Sequence, residues 1–535
     1  MAPIPVSTQK LWYEYTNSFQ AKYGKPNFEA SLDHEDWPSF ELRYNGRTLQ
    51  YTVELIGDQP ADGYPLLIGL HGGGRDSIKN NNSEWKNMTS NWYRRPVDAH
   101  VKKTGEGAVY IALRGVSSYD KKTNTFFDDW NLHFQDESYV LLQRLIRGFF
   151  LPIPEEVIIQ KLDGPFRTDF VKDRPFVDPN RVYLLGFSAG GDGAFQHAAR
   201  LPDLFSAVSA AGGHPNGVPF INTANLPLCI SSGEKDTLPS MYNLADGDSS
   251  GAKDRAQEIV RDSIQLENLR KSVREQLYNT VPKAFQSHVY SYLFYPHDCV
   301  IVQGKGHNSW ARPNMSNTPQ RVLTNLKAWL LQQENKNIKV DGADASADKV
   351  VNLVEWACSE LSSTPKTFVP RVRNPLPQFV DWNLATRPTA PSTDAPGNEK
   401  ADWTPKNTLY WLYLRSNDIS KLSSLTAQIR AAYDKPTNSV WVESANDYLG
   451  ILLNENMVDF KKDVWVCIGK GSDTAQKIKI TPSEKLRRET LWQRGDPSWV
   501  FDALVYFVKD GAGKWIPKVT DTLSVDALPS PKSKL

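Results

Sequence analysis

Two spacings of apolar residues alternate along the first 335 positions. "SFELRYNGRTLQYTVELIG" (39–57) switches between polar and apolar around Asn45-Gly46. That is the period of half-buried strands joined by a two-residue turn. Compact apolar runs follow: "YPLLIGL" (64–70), "GAVYIAL" (107–113), "RVYLLGF" (181–187), "FSAVSAA" (205–211), "LPLCISS" (226–232) and "CVIVQG" (299–304). A strand apolar on both sides must be covered on both sides. Between these runs, "ESYVLLQRLIRGFF" (137–150), "GAFQHAARL" (193–201) and "TPQRVLTNLKAWLLQQ" (318–333) carry the helical spacing. The pattern predicts an α/β fold, a mostly parallel sheet with helices on both faces.

From about residue 336 the texture changes. "NKNIKVDGADASADK" is polar and small, and 364–408 is rich in Pro, Thr, Ser and Asn, which predicts a connector with one helix near 347–361. After Trp403 strands return as "TLYWLYL", "SVWVES", "YLGILLN", "DVWVCIG" and "QKIKITP". Their aromatic and β-branched enrichment predicts a smaller, sandwich-like β-rich module. The expected division is an N-terminal extension (1–38), an α/β domain (39–335), a connector (336–402), a β-rich module (403–528) and a tail (529–535). No internal repeat is visible.

At 535 residues the chain exceeds one ordinary core, in line with that division. A net charge of +1 with no Lys/Arg block gives no footing for nucleic acid or an anionic membrane. No apolar run reaches the roughly 18 residues of a membrane span. The start, "MAPIPVSTQKLWYEYTNSFQ", lacks a charged segment leading into an apolar one and a cleavage site, so secretion is not expected. Cys229, Cys299, Cys358 and Cys467 lie far apart, without metal-ligand spacing, and read as reduced, mostly buried thiols of an intracellular protein. The N-x-S/T matches at Asn81, Asn87 and Asn314 then count as chance.

"DALPSPKSKL" ends in Ser533-Lys534-Leu535, the peroxisomal import tripeptide, on a tail that Pro529 and Pro531 keep extended. The expected partner is an import receptor and the expected location the peroxisome; an accidental terminus, with a cytoplasmic location, is the competing reading.

The candidate chemistry centres on Gly186-Phe187-Ser188-Ala189-Gly190, between a predicted buried strand and a predicted helix. A serine on such a turn is strained, and side chains at 186 or 190 would collide with neighbouring segments. The hydroxyl is thereby exposed at a helix N-terminus, where N–H groups favour a developing oxyanion. His71-Gly72-Gly73-Gly74 follows an earlier strand and matches the oxyanion segment of esterases. The N–H groups of the Gly72–Gly74 loop and of Ala189 are the expected donors, with His71 shaping the loop. A serine hydroxyl needs a base, and the base an orienting carboxylate. In the order nucleophile, acid, histidine, Asp236 after "LPLCISSGEK" is the candidate orienter and His307 after "CVIVQGKG" the candidate base. Glu234, Asp246 and Asp248 remain alternatives for the acid, and His214 and His297 for the base.

These motifs resemble the α/β-hydrolase superfamily. "GFSAGGDGAFQHAARLPDLFSAVSAAGG" is similar to its polyhydroxybutyrate-depolymerase, feruloyl-esterase and prolyl-oligopeptidase-like branches, over about residues 40–335. "YLGILLNENMVDF" and "LRRETLWQRGDPSWVF" are less specifically similar to a β-module of some such hydrolases. The N-terminal propeller of the oligopeptidases has no counterpart here. The resemblance implies a serine hydrolase that uses no metal or organic cofactor and acts on a small-molecule ester or acyl substrate. The same apparatus serves a thioester such as an acyl-CoA, an acyl transfer or a peptide, and a non-catalytic binding protein is the competitor from another class. The long segment before the nucleophile strand is a candidate lid, with Trp130, Phe126 and Phe127 as substrate contacts, and Trp310 lies three residues after His307; ordinary core aromatics compete for each. The 237–288 insert reads as a capping helix with a solvated charged face.

Overall fold

The six apolar runs become six neighbouring parallel strands in a computed structural model of the chain. It describes residues 10–16, 30–31, 39–44, 47–73, 78–116, 118–120, 125–127, 133, 136–151, 176–215, 218–236, 255–280, 297–307, 319–360, 369–383, 407–414, 428–443, 445, 449–469 and 475–523. The strands are β1 (Ala30–Ser31), β2 (Ser39–Tyr44), β3 (Arg47–Ile56), β4 (Tyr64–Leu70), β5 (Ala108–Leu113), the hairpin of β6 (Ser118–Asp120) and β7 (Thr125–Phe127), then β8 (Val177–Phe187), β9 (Ala207–Ala211), β10 (Leu228–Gly233), β11 (His297–Val302), β12 (Pro319–Leu323) and β13 (Ser346–Val350). Eleven of them form one sheet, in the order β1-β2-β3-β5-β4-β8-β9-β10-β11-β12-β13. The stretch from β5 to β11 is parallel, and antiparallel strands extend it at both edges.

Successive residues of a strand face opposite ways, and two cores form accordingly. Leu66, Ile68, Val182, Leu184 and Ile230 point into one, Leu67, Tyr183, Leu185 and Cys229 into the other. The helices are α1 (Ile78–Ser90), α2 (Arg94–Thr104), α3 (Asp136–Phe150), α4 (Ala189–Arg200), α5 (Arg255–Thr280), α6 (Leu326–Glu334), α7 (Leu353–Cys358) and α8 (Glu484–Arg494). The first core takes Leu141 of α3, Phe195 of α4, Ile259 of α5 and Trp329 of α6. The second takes Trp85 of α1, Val97 of α2 and Val354 of α7. Each such side chain removed from water contributes about 1.5–3 kcal/mol. No described helix is long and apolar enough to cross a membrane.

The chain passes from β4 to β5 on one side, then crosses back to β8 on the other. That reversal opens a crevice beyond the carboxyl ends of β4 and β8, which stand level because Leu70 pairs with Gly186.

Three stretches depart from the expected outline. The predicted helix over 318–333 divides into β12 and α6, because Asn325 caps the helix by accepting from Ala328 N–H at 3.1 Å. In the predicted connector, Ser346–Val350 pairs with β12 as an edge strand, and the helix is only α7, capped by Asn352. Within the predicted N-terminal extension, residues 10–16 are helical and place Leu11, Trp12 and Tyr15 in the first core. Beyond α7 come β14 (Phe379–Asn383), β15 (Thr408–Leu409), β16 (Leu412–Leu414), β17 (Gln428–Asp434), β18 (Ser439–Val442), β19 (Leu449–Leu453), β20 (Val464–Ile468), β21 (Gln476–Ile478), β22 (Ala503–Lys509) and β23 (Trp515–Thr520). They build two five-stranded sheets, β14-β17-β18-β20-β21 and β15-β16-β19-β22-β23, over one shared core around Trp411, Leu452 and Trp499.

Candidate active site

Ser188 sits between the end of β8 and the first turn of α4 with φ 57° and ψ −120°. Positive φ is strained for any residue with a Cβ, by about 1–3 kcal/mol. The surrounding bonds hold it there: Ser188 N–H donates to Ala211 O at 2.8 Å, and Asp192 N–H donates to Ser188 O at 3.0 Å. The flanking glycines are required by close approach. A Cβ at Gly186 would stand 2.0 Å from Gly190 O, and one at Gly190 would stand 2.1 Å from Leu70 O. Of residues 181–199, all described, only Ser188 is not buried. The turn delivers one hydroxyl to the crevice.

Parallel strands β10 and β11 bring two loops to the same edge. Asp236 follows β10 and His307 follows β11. Lys235 N–H donates to Lys305 O at 2.7 Å and ties the loops together, and Gly233 permits it, since a Cβ there would meet Lys305 O at 2.4 Å. His307 Nε2 lies 2.9 Å from Ser188 Oγ, and His307 Nδ1 lies 2.9 Å from Asp236 Oδ2. Phe187 stacks on the imidazole at 5.4 Å between centroids. Burial pushes the Asp236 carboxyl up; hydrogen bonds from His307 and Ser232 and the charge of Arg255 outweigh it and hold the group below the usual carboxylate range. It stays an acceptor for Nδ1–H, which leaves Nε2 free to accept from the serine hydroxyl.

The competing residues are engaged elsewhere. Glu234 accepts from Trp329 Nε1 at 3.2 Å and from Gly304 N–H at 2.7 Å. His297 Nε2 bonds Ser263 Oγ at 2.8 Å, and His214 Nδ1 bonds Glu258 Oε2 at 2.7 Å. Asp246 and Asp248 lie outside the described residues.

Gly72 lies against Ser188: a Cβ there would stand 3.1 Å from Ser188 Cβ. Gly73 follows at φ 112°, a conformation open to glycine. Ala189 is the first residue of α4, so its N–H has no carbonyl within that helix to bond. These groups border the space above Ser188 and can donate to an anionic oxygen there. Gly74, Trp130 and Trp310 lie outside the described residues, as do Ser533, Lys534 and Leu535; Phe126 and Phe127 are in β7.

One residue escaped the sequence reading. Arg255, the first residue of α5, is buried beside the acid–histidine pair. Its Nη1 is 3.4 Å from Asp236 Oδ1, 2.5 Å from His307 Nδ1 and 3.4 Å from His307 Nε2. An atom on the in-plane line of Nδ1 would stand farther from Nε2, so the guanidinium approaches the ring from its face. Arg255 Nε donates to His214 Nε2 at 2.9 Å, and Asp192 of α4 accepts from His214 N–H at 2.5 Å. A chain of bonds thus runs from α4 round to Asp236. The readable signal was the Arg255/Glu258 pair, three apart at the start of a helix, which its many charges disguised as a solvated face.

No family model and no curated protein matches the sequence. Among solved structures, the chain is similar over 52% of its length to a thermostable esterase, at 15% identity and TM-score 0.29, and spans about 60% of that chain. Over 56% of its length it is similar to the siderophore hydrolase EstA from Aspergillus nidulans, covering 94% of that chain at 13% identity and TM-score 0.29. Over 53% it is similar to the BES protein from Bacillus cereus, covering 93% of that chain at 11% identity and TM-score 0.29. Strand order, switch point and the strained turn at Ser188 define the architecture of this chain, and they are those of the α/β-hydrolase fold.

Proposed function

We propose that the protein is a serine hydrolase that cleaves a carboxylic ester through an acyl-enzyme on Ser188. The observation that carries this reading is the line of contacts from Ser188 Oγ to His307 Nε2 and from His307 Nδ1 to Asp236 Oδ2, each 2.9 Å, on a strained turn facing the crevice.

In the proposed cycle Ser188 Oγ bonds to the substrate carbonyl carbon while its proton passes to His307 Nε2. Asp236 stabilises the imidazolium and keeps the ring oriented. The carbonyl oxygen, now anionic, takes hydrogen bonds from Ala189 N–H and the 72–73 loop; one such donor is worth about 100- to 1,000-fold in turnover. The C–O bond to the alcohol breaks and His307 returns its proton to the leaving oxygen. Water then attacks the acyl-enzyme with His307 again as base, releasing the acid and restoring Ser188.

Ser188→Ala should abolish hydrolysis of p-nitrophenyl acetate and labelling by a fluorophosphonate, with the fold intact by circular dichroism. Labelling that persists at another serine would reject the assignment. Turnover of p-nitrophenyl acetate, an acyl-CoA and a proline amide side by side separates ester, thioester and amide chemistry; a preference for the acyl-CoA redirects the reading to a thioesterase or acyltransferase. Inertness toward the serine probe leaves a hydrolase-like binding protein. For location, we propose that Ser533-Lys534-Leu535 is read by a peroxisomal import receptor. A fluorescent fusion bearing the last ten residues should collect in peroxisomes, and the same fusion without the tripeptide should stay diffuse.

A further inference from the structure

Three buried imidazoles stand in a row beneath the 71–73 loop. His197 Nε2 lies 2.7 Å from the His133 carbonyl oxygen, His133 Nε2 lies 2.8 Å from the His71 carbonyl oxygen, and His71 Nδ1 lies 2.5 Å from the Gly72 carbonyl oxygen. A carbonyl oxygen only accepts, so each of those ring nitrogens carries the proton. Gly115 N–H donates to His71 Nε2 at 3.3 Å, which requires the same tautomer of that ring. The rings of His71 and His133 meet edge to face at 4.7 Å. Burial pushes the His133 imidazole far below its usual range and that of His197 down to about 3, so both stay neutral donors. The nucleophile helix leaves room for the row: at Gly193 of α4 a Cβ would stand 2.5 Å from His133 Cβ.

A trans peptide unit points its C=O and its N–H to opposite sides. Holding the carbonyl of His71 from within the core therefore turns the Gly72 N–H outward. Holding the carbonyl of Gly72 does the same for Gly73 N–H. We propose that His133, backed by His197, is a positioning residue for the oxyanion loop: its bond to the His71 carbonyl aims the Gly72 N–H at the oxygen of an acyl group on Ser188. This inference rests on the serine-hydrolase reading. Two glycines in sequence have no conformational preference that would hold such an aim, and α/β packing alone does not orient a peptide plane.

The test compares His133→Leu, which keeps apolar bulk without the donor, with His133→Gln, whose Nε2–H reaches a similar point. Both are made in the full chain and assayed with p-nitrophenyl acetate and a trifluoromethyl ketone, which adds to Ser188 Oγ as a tetrahedral alkoxide. His133→Leu should lower kcat about 100-fold or more, leave KM within about threefold and weaken the ketone in parallel, the size of one lost oxyanion donor. His133→Gln should recover at least tenfold of that loss. Should His133→Leu not fold, Gly193→Ala, which displaces the row while leaving its donor in place, should show the same fall in kcat at unchanged KM. A fall in KM-limited binding alone, equal losses for Leu and Gln at equal folding, or full activity in a folded His133→Leu or Gly193→Ala protein would each overturn the proposal. Wild-type protein that is not labelled at Ser188 by a fluorophosphonate would instead strike the underlying reading, and this inference with it.

Discussion

At the scale of one residue, a single strained backbone conformation presents the hydroxyl on which the proposed chemistry depends. Ser188 holds φ 57° between β8 and α4, fixed by the bonds of its N–H to Ala211 O and of Asp192 N–H to its own carbonyl. Two glycines let these two elements meet by having nothing to place between backbones. At Gly190 all three atoms nearest the missing Cβ, Leu70 O, Leu70 C and His71 O, are backbone, the first two in a central strand that has no room to retreat. Gly190→Ala should therefore lower unfolding free energy by about 3 kcal/mol or more, read from urea denaturation of purified protein, and should also lower soluble yield. Unchanged stability would show slack in the turn.

At the scale of elements, two neighbouring parallel strands do what spacing along the chain could not. Register between β10 and β11 pairs Gly233 with Val302, so the loops that leave them start level and deliver Asp236 and His307 to each other. Asp236→Asn keeps the shape but offers an amide N–H where Nδ1 needs an acceptor, which favours the wrong tautomer of His307. Turnover should fall about 10⁴-fold with the fold unchanged, the loss that such a swap causes in serine proteases. A loss under tenfold would mean that Arg255, with His214 and Glu258 behind it, orients the ring without Asp236.

At the scale of the whole molecule, buried ion pairs join the β-rich sheets to the α/β sheet. Arg494 Nη1 bonds Asp203 Oδ2 at 2.6 Å, Tyr410 N–H donates to the same oxygen at 3.2 Å, and Arg373 bonds Asp496 at 2.8 Å while donating to Asp203 O. Arg373 and Asp496 are almost wholly buried, with side chains 2% and 1% exposed. Removing one partner strands the other charge, so Arg373→Met should cost about 3–5 kcal/mol in urea unfolding at neutral pH. Burial pushes the Asp496 carboxyl up, and Arg373 and Ser498 more than reverse it, leaving it below the ordinary value of 3.8. A depressed folded pKa stabilises above the unfolded value and loses that effect as pH falls through the folded one. Without Arg373, burial raises the Asp496 pKa relative to wild type, so the gap between wild type and Arg373→Met should be widest at neutral pH and narrow as acidification lets the mutant's stranded carboxyl take up a proton; a gap that stays constant or widens on acidification to about pH 3 would contradict the pairing.

How much of this was legible beforehand follows from the range of each interaction. The buried runs and the turn at Gly186–Gly190 are local: a strand covered on both faces must be apolar throughout, and a tight turn must be glycine-rich, so composition at neighbouring positions reports them. Asp236 and His307 were preferred from chain order with Glu234, His214 and His297 left open; only tertiary partners show the rivals engaged, by Trp329, Glu258 and Ser263 from distant parts of the chain. His133 had no sequence mark, and the one mark of Arg255, its spacing from Glu258, was lost among the charges of its helix, since a charge on a helix and a histidine in a loop read as ordinary until a sheet places them beside the site. Residue types and their order were thus determined by the sequence alone. Which groups face one another was decided by strand order and register, the long-range pairings that no local spacing encodes.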